Sequence, residues 1–481
     1  MADDAGAAPL WTGHAIAQAV GGILAEEDFD ATGVAIDSRE VAPGDLFVAL
    51  SATRDGHMFV PAAQAAGAAG ALVSRRVEGP HVRVEGDVLL ALQALAVAAR
   101  DRAGKARRGV VTGSVGKTSV TQAVLSGLRL AGGGHGPERS FNNHIGVPLT
   151  LARMPGSTRR AVFELGMNHA GEIAPLSRLV QPHAALITTV EAVHVEAFAD
   201  GEAGVARAKA EIFAGLRPGG VAILNADNRW FPFLQAEAEA VGAEIRAFGQ
   251  ADGIAGGAVG DLGARLIGFT RQAEGAFVEA EIEGHRRRYP LRQTAPHWGP
   301  MSLAALLMLR ALEVDLEIAL AALSAIAPLD GRGAETEVHL KDGSFTLIDD
   351  SYNASPVSVA AALRALGQRA TGARRIAVLT DMLELGPDGA DRHADLAAVA
   401  AEAGVDLVFT AGPLMRRLDQ ALEASRRGAW TAEAKDMTPI LAEVLQPGDV
   451  VLVKGSKASH ASDIAMALKA GRAGVEGGGG G

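Results

Sequence analysis

Short apolar runs alternate along this chain with longer stretches in which apolar positions recur every three or four residues. In the first hundred residues VAIDS, DLFVAL and ALVS read as strands and the alanine-rich segments between them as helices, with Thr12 as N-cap of the first. From 106 to 328 the strands are RRGVVTG, AVFELG, AALITTV and GVAIL. From 329 onward FTLIDDS, RRIAVLTDM, DLVFTAG and DVVLVKGS repeat the plan. Strands alternating with helices predict mainly parallel sheets covered on both faces. The pattern therefore predicts an α/β protein of three domains, 1–105, 106–328 and 329–470, with a glycine-rich tail over 471–481 that has nothing to pack. In such sheets ligands collect beyond the carboxyl ends of the strands.

Composition narrows the classes. The 481 residues suffice for about three cores, and 48% hydrophobic with 21% charged residues is ordinary for a globular protein. A net charge of −11, with no basic block, argues against a nucleic-acid binder. The absence of cysteine excludes disulfides, thiolate metal sites and cysteine nucleophiles. The start, MADDAGAAPL, is acidic where a secretion signal is basic, and the longest apolar run, 88–99, is broken by Gln93 and too short for a membrane span. The expected location is the cytoplasm, with no membrane partner.

Four features carry chemistry. VVTGSVGKTSV (110–120) is a buried strand, a glycine turn and a helix start, whose backbone N–H groups form an anion cradle over Gly113, Ser114, Val115, Gly116, Lys117, Thr118 and Ser119. Lys117 is placed to reach the terminal phosphates of ATP or GTP and Thr118 to bind Mg²⁺; Val111 stands where the general pattern has glycine. Glu164 ends an apolar strand, a costly place for a carboxylate without a cation. His194 follows another strand end; alone it reads as a surface or packing residue. Lys209 shares a helix face with Val205, Ile212 and Leu216, so it either snorkels outward or is a partly buried amine with a lowered pKa, open to carbamylation by CO₂.

Taken in order, IDSREVAPGDLFVAL (36–50), TGSVGKTSV (112–120), FNNHIGVPLTL (141–151), AVFELGMNHAGEIAPL (161–176), KAEIFAGLRPGGVAILNADN (209–228), DDSYNASP (349–356), TDMLELG (380–386) and LVKGS (452–456) resemble the Mur ligases, most closely the branch that adds D-alanyl-D-alanine. The resemblance implies a UDP-sugar-binding first domain, a central ATPase domain and a Rossmann-like third domain. It places Ser38 and Arg39 at the UDP moiety and Asn142 and Asn143 along the substrate channel. Glu164 and His194 fall at the family's metal ligands, with Thr118 completing one site. Lys209, fifteen residues after His194, falls at the family's carbamylated lysine. Arg332, Asp349, Tyr352 and Asn353 fall at its nucleotide-facing positions, and Lys454 and Ser456 at a strand end facing substrate or nucleotide.

The implied reaction joins D-alanyl-D-alanine to UDP-N-acetylmuramoyl tripeptide through an acyl phosphate. It uses ATP and two Mg²⁺ ions in a monomer, with Lys117, Lys209 and His194 as catalytic groups. One departure touches the adenine side: the family's His-Asn-x-x-Asn reads HWGPM here, keeping His297 but placing Trp298 and Met301 where the asparagines stand, and packing is the favoured role for Trp298. Three alternative readings account for less of the sequence. The sibling that adds a diamino acid carries Asp-Asn-Pro-[Lys/Arg], which this chain lacks; a folate-type ligase lacks DDSYNASP; a nucleotide switch gives no reason for Glu164, His194 and Lys209.

Overall fold

The structure is a computed structural model that describes residues 8–51, 53–192, 195–250, 262–272, 275–369, 372 and 374–471. His194 and the tail beyond Gly471 lie outside the described residues, so the expectations placed on them stand apart from the geometry below.

Three sheets in chain order give a three-domain α/β fold. The first has five strands, in the order Ile23–Ala25, His81–Arg83, Gly70–Val73, Asp45–Val48 and Gly33–Ala35; all its neighbours are parallel except the first pair. Thr12 caps its opening helix, accepting from the Ala15 N–H at 3.1 Å.

The central sheet has nine strands. Seven are mutually parallel, and six of these run Glu244–Gln250, Val221–Asn225, Ala184–Ile187, Arg107–Thr112, Arg160–Glu164 and Gly134–His135. Burial on both faces explains why Val221–Asn225, Ala184–Ile187, Arg107–Thr112 and Arg160–Glu164 read as apolar runs. Along Arg107–Thr112, Val110 joins one core with Phe163 and Ile187, while Val111 joins the opposite core with Val162 and Leu186. The helices Lys117–Leu130 and Trp298–Ala311 cover the Val111 side.

Three further strands extend this sheet, which the pattern predicted to be mainly parallel. Leu262–Arg271 pairs parallel to Glu244–Gln250, and Ala276–Ile282 and His285–Leu291 follow it antiparallel. Their hairpin turns at Glu283 and Gly284, both with positive φ (50° and 76°), the twist a tight hairpin needs. Strict alternation over Ala276–Ile282, with every second residue buried, was the available signal for a one-sided strand.

The third sheet runs Ala334–Leu340, Gly343–Asp350, Val450–Lys454, Arg375–Thr380, Leu407–Ala411 and Arg427–Thr431, parallel except for the first pair. Its strands carry helices on both faces, with Phe345 and Leu347 in one core and Leu379 and Leu452 in the other. The first domain is pinned to the central one: the Trp11 indole N–H donates to the Ala152 carbonyl at 2.8 Å, and Arg102, stacked over the Trp11 ring, donates to the Met154 carbonyl at 2.9 Å. Among the described residues no helix is long and apolar enough to cross a membrane.

Candidate active site

The phosphate loop leaves the strand Arg107–Thr112 and enters the helix at Lys117. Two of its glycines are required by shape. Gly113 (φ +150°) packs so closely that an added Cβ would lie 1.9 Å from Thr188 Oγ1, and Gly116 takes the left-handed conformation (φ +85°) under Met301. The loop is bolted to the neighbouring strand end: Ser114 N–H donates to the Thr189 carbonyl at 2.8 Å, and Thr188 Oγ1 donates to the Val115 carbonyl at 2.5 Å. Lys117 folds over the turn, its Nζ donating to the Gly113 carbonyl at 2.7 Å. Burial lowers its pKa, Glu164 opposes that shift, and Arg332 from the third domain adds to it.

Glu164 is 1% exposed and is the hub of the site. Thr118 Oγ1 donates to its Oε2 at 2.7 Å, while Ser140 Oγ (2.9 Å) and Asn142 Nδ2 (2.8 Å) donate to its Oε1. One carboxylate ringed by hydroxyl and amide groups is a hard-oxygen set that suits Mg²⁺, a cation that keeps waters and phosphates as its other ligands. Among the described residues no group of three or more His, Cys, Asp or Glu side chains is placed to hold a metal.

Lys209 is 3% exposed, so the snorkelling alternative is excluded. The helix carrying it, Glu202–Ala210, gives way to a 3₁₀ turn over Glu211–Gly215; Val205, Lys209 and Ile212 are buried, but Leu216 is past the turn. Burial drives the Lys209 pKa well below its ordinary value, and the Lys117 ammonium pushes it further down. Among the described residues its amine meets no hydrogen-bond or ion-pair partner. Two residues on, the Glu211 carboxylate accepts from the N–H groups of Gly171 (2.6 Å), Ile173 (3.1 Å) and Ala174 (3.1 Å). It thereby ties the Lys209 segment to the helix that follows Glu164.

The third domain closes the other side. A cavity of about 690 Å³ is lined by Ser114, Val115, Gly116, Lys117, Thr118, Ser119, Asn142 and Glu164 from the centre and by Arg332, Tyr352, Asn353 and Lys454 from the third domain. Arg332 stacks 3.9 Å over the Tyr352 ring. Asp349 is not at the cavity. Phe345, Leu347 and Asp349 share the buried face of their strand, and Asp349 pairs with Lys469 Nζ at 2.7 Å and accepts from Ser351 Oγ at 2.5 Å. Its neighbour Asp350 points the other way, lines the cavity and pairs with the buried Lys454 at 2.8 Å. The period of two in FTLIDD was the signal that distinguishes them. The expectation for Asp349 therefore moves to Asp350.

Other expected residues separate. Asn143 caps a helix, its Oδ1 accepting from the Ile145 and Gly146 N–H groups at 3.1 and 2.9 Å, and does not line the cavity. Lys209 lies behind the wall rather than in it. Ser38 and Arg39 sit in a turn of the first domain, where Asp37 holds Arg39 at 2.5 Å. Ser456 is buried, accepting from the Leu383 N–H at 3.0 Å. Trp298 is 3% exposed and packs in the core, so it is no base platform, whereas His297 and Met301 line the cavity. The sequence reading passed over Ser140. It also passed over a polar group at the cavity wall, where Thr294 and Arg369 both donate to Glu335 and Arg271 stands 4.0 Å away.

Comparison with known proteins agrees with this geometry. The Mur ligase middle domain matches residues 111–278, and the Mur ligase glutamate ligase domain matches 336–457. The chain is 34% identical over 474 residues to the UDP-N-acetylmuramoyl-tripeptide–D-alanyl-D-alanine ligase of Bacillus subtilis, covering 94% of this chain and 97% of that protein. It is 33% identical to the protein of the same name from Escherichia coli, covering 93% and 96%. A crystal structure of MurF from Acinetobacter baumannii superposes with a TM-score of 0.82 at 27% identity, covering 96% of this chain and 99% of that one. The chain belongs to the Mur ligase family.

Proposed function

We propose that this protein joins D-alanyl-D-alanine to UDP-N-acetylmuramoyl tripeptide, converting ATP to ADP and phosphate. The observation that carries the reading is the single cavity in which a phosphate loop, a buried carboxylate hub and the strand ends of a second domain face one another. The relatives' names supply the substrates, and their match spans nearly the whole chain.

A carboxylate is a poor electrophile, so it must first be activated. A terminal carboxylate oxygen of the tripeptide attacks the γ-phosphorus of ATP, and ADP leaves. The dipeptide's amine nitrogen then attacks the carbonyl of the acyl phosphate, inorganic phosphate leaves, and the amine gives up a proton. Lys117, within reach of the loop, offsets the negative charge that gathers on the transferring phosphoryl group. Backbone N–H groups of the glycine turn orient the triphosphate. Arg332 brings a further cation from the third domain, so closure of that domain completes the electrostatic set and sheds water that would hydrolyse the intermediate.

Two Mg²⁺ ions belong to this reading: Thr118 and Glu164 would hold one, and His194 with Glu164 and a carbamylated Lys209 the other. When bound, they supply positive charge against the repulsion of two anions. Lys209 suits carbamylation because its lowered pKa leaves the neutral amine available to bond to CO₂ with loss of a proton. The reading takes the protein as a monomer and places it in the cytoplasm, where ATP is available.

The test is phosphate release by the purified protein. It should need ATP, the UDP-tripeptide and D-alanyl-D-alanine together. Turnover with a free diamino acid and the UDP-dipeptide would reject the assignment.

A further inference from the structure

The first domain is joined to the cation hub by one short segment. Glu40 follows the Ser38–Arg39 turn directly, and its carboxylate accepts from Arg139 at 2.6 Å across the domain boundary. The next residue, Ser140, donates to Glu164 at 2.9 Å, and Asn142 holds the same carboxylate oxygen at 2.8 Å. Arg153 braces the segment from behind: its Nε donates to the Val34 carbonyl of the first domain at 2.7 Å, and its guanidinium lies 5.7 Å from the Phe141 ring centre. Within five residues of chain, one side chain grips the turn placed at the UDP moiety and two grip the carboxylate beside the phosphate loop. A short segment held at both ends is a path by which a displacement at one end reaches the other.

We propose that Arg139 is a positioning residue that couples occupancy of the first-domain substrate site to nucleotide affinity at the phosphate loop. It acts through Glu40 and Ser140. A UDP-substrate seated on Ser38 and Arg39 fixes the Asp37–Glu40 turn, Glu40 fixes Arg139, and Ser140 then holds Glu164 square to Thr118. Linkage makes the effect reciprocal, so bound nucleotide tightens the UDP-substrate by the same factor. The pair is exposed, with side chains 67% and 46% accessible, and solvent screening of exposed pairs caps the coupling at about fivefold. The inference rests on the proposed function for the identity of the UDP-substrate and on the expected seating of that substrate at Ser38 and Arg39.

The test is a double-mutant cycle read by calorimetry. Affinity for β,γ-imido-ATP is measured on the full chain with Mg²⁺, with and without saturating UDP-N-acetylmuramoyl tripeptide. The wild type should bind the analogue three- to fivefold more tightly when the UDP-substrate is present. Arg139→Met and Glu40→Gln should each reduce that ratio to about one while leaving affinity for the analogue alone within twofold. The double variant should lose no more than either single, and Arg139→Lys should keep most of the ratio. Additive losses, an unchanged ratio in Arg139→Met, or a wild-type ratio of one would each overturn the coupling. A wild type that turns over all three substrates yet shows no ratio rejects this inference alone. One that fails to turn them over rejects the assignment of function. Both side chains are exposed, so an unchanged melting temperature is expected in each variant.

Discussion

The Lys117 ammonium stands close enough to the buried amine of Lys209 to help strip its proton. Two lysines, one on the phosphate turn and one on a helix ninety-two residues later, thus share one electrostatic environment, although only the first faces the cavity. Burying a cation near another cation is costly unless its charge is removed or reversed. Here the cost has a use: an uncharged amine is the form that can bond to CO₂.

That cost can be measured through pH. The folded-state pKa of Lys209 lies below its unfolded value, so the unfolded chain binds the extra proton and stability rises with pH across that interval. In metal-free, CO₂-free buffer, Lys209→Met should therefore be more stable than the wild type near pH 7, by roughly 1–3 kcal/mol. The gap should shrink as pH approaches the ordinary lysine value. Thermal melts over a pH series check this; a variant less stable at every pH would contradict it.

The same position governs activity. Lys209→Ala should lose at least about a hundredfold in kcat, the scale of removing one preorganised charge from an active site. Short carboxylic acids added to the assay should restore part of it. Full activity in the unsupplemented variant would rule out the carbamate.

Glu164→Gln keeps the shape of the hub but removes its charge. An amide oxygen can still accept from Thr118, whereas hard-cation affinity falls. A shift of the Mg²⁺ activation curve to higher concentration, together with a kcat loss of about 10²–10³, is the expected outcome. An unchanged Mg²⁺ midpoint would count against the role of Glu164.

Strand alternation separates two adjacent aspartates. Asp350→Ala leaves the Lys454 ammonium, itself 4% accessible, without its carboxylate at the cavity wall. Since Asp350 is partly exposed, the stability loss should be about 2 kcal/mol, below the range for a fully buried pair, and ATP turnover should fall with it. Asp349→Asn removes charge on the far face, so its effect on the KM for ATP should stay within about twofold. Measuring KM for ATP in both variants decides which aspartate faces the nucleotide.

Much of this was legible in the residues because the central strands are buried on both faces and punctuated by glycine turns. The phosphate loop, Glu164 at a strand end and the lysine on an apolar stripe all announce themselves locally. What was not legible depended on direction or on partners far along the chain. Asp349 and Asp350 are neighbours whose roles differ by one step of the pleat. Ser140 gains meaning only because Glu164, twenty-four residues on, returns beside it. Asn143 has the composition of a channel residue but spends its side chain on a helix cap. The antiparallel hairpin was overlooked because its strands are wetted on one side and lack the solid apolar runs of their parallel neighbours.

The most direct measurement is the mass of the UDP-linked product after a single turnover with UDP-N-acetylmuramoyl tripeptide, ATP and D-alanyl-D-alanine. A gain equal to one dipeptide, with one ADP and one phosphate formed per bond, is the result predicted here. No dipeptide adduct, or ATP cleaved without any change in the UDP-peptide, would contradict it.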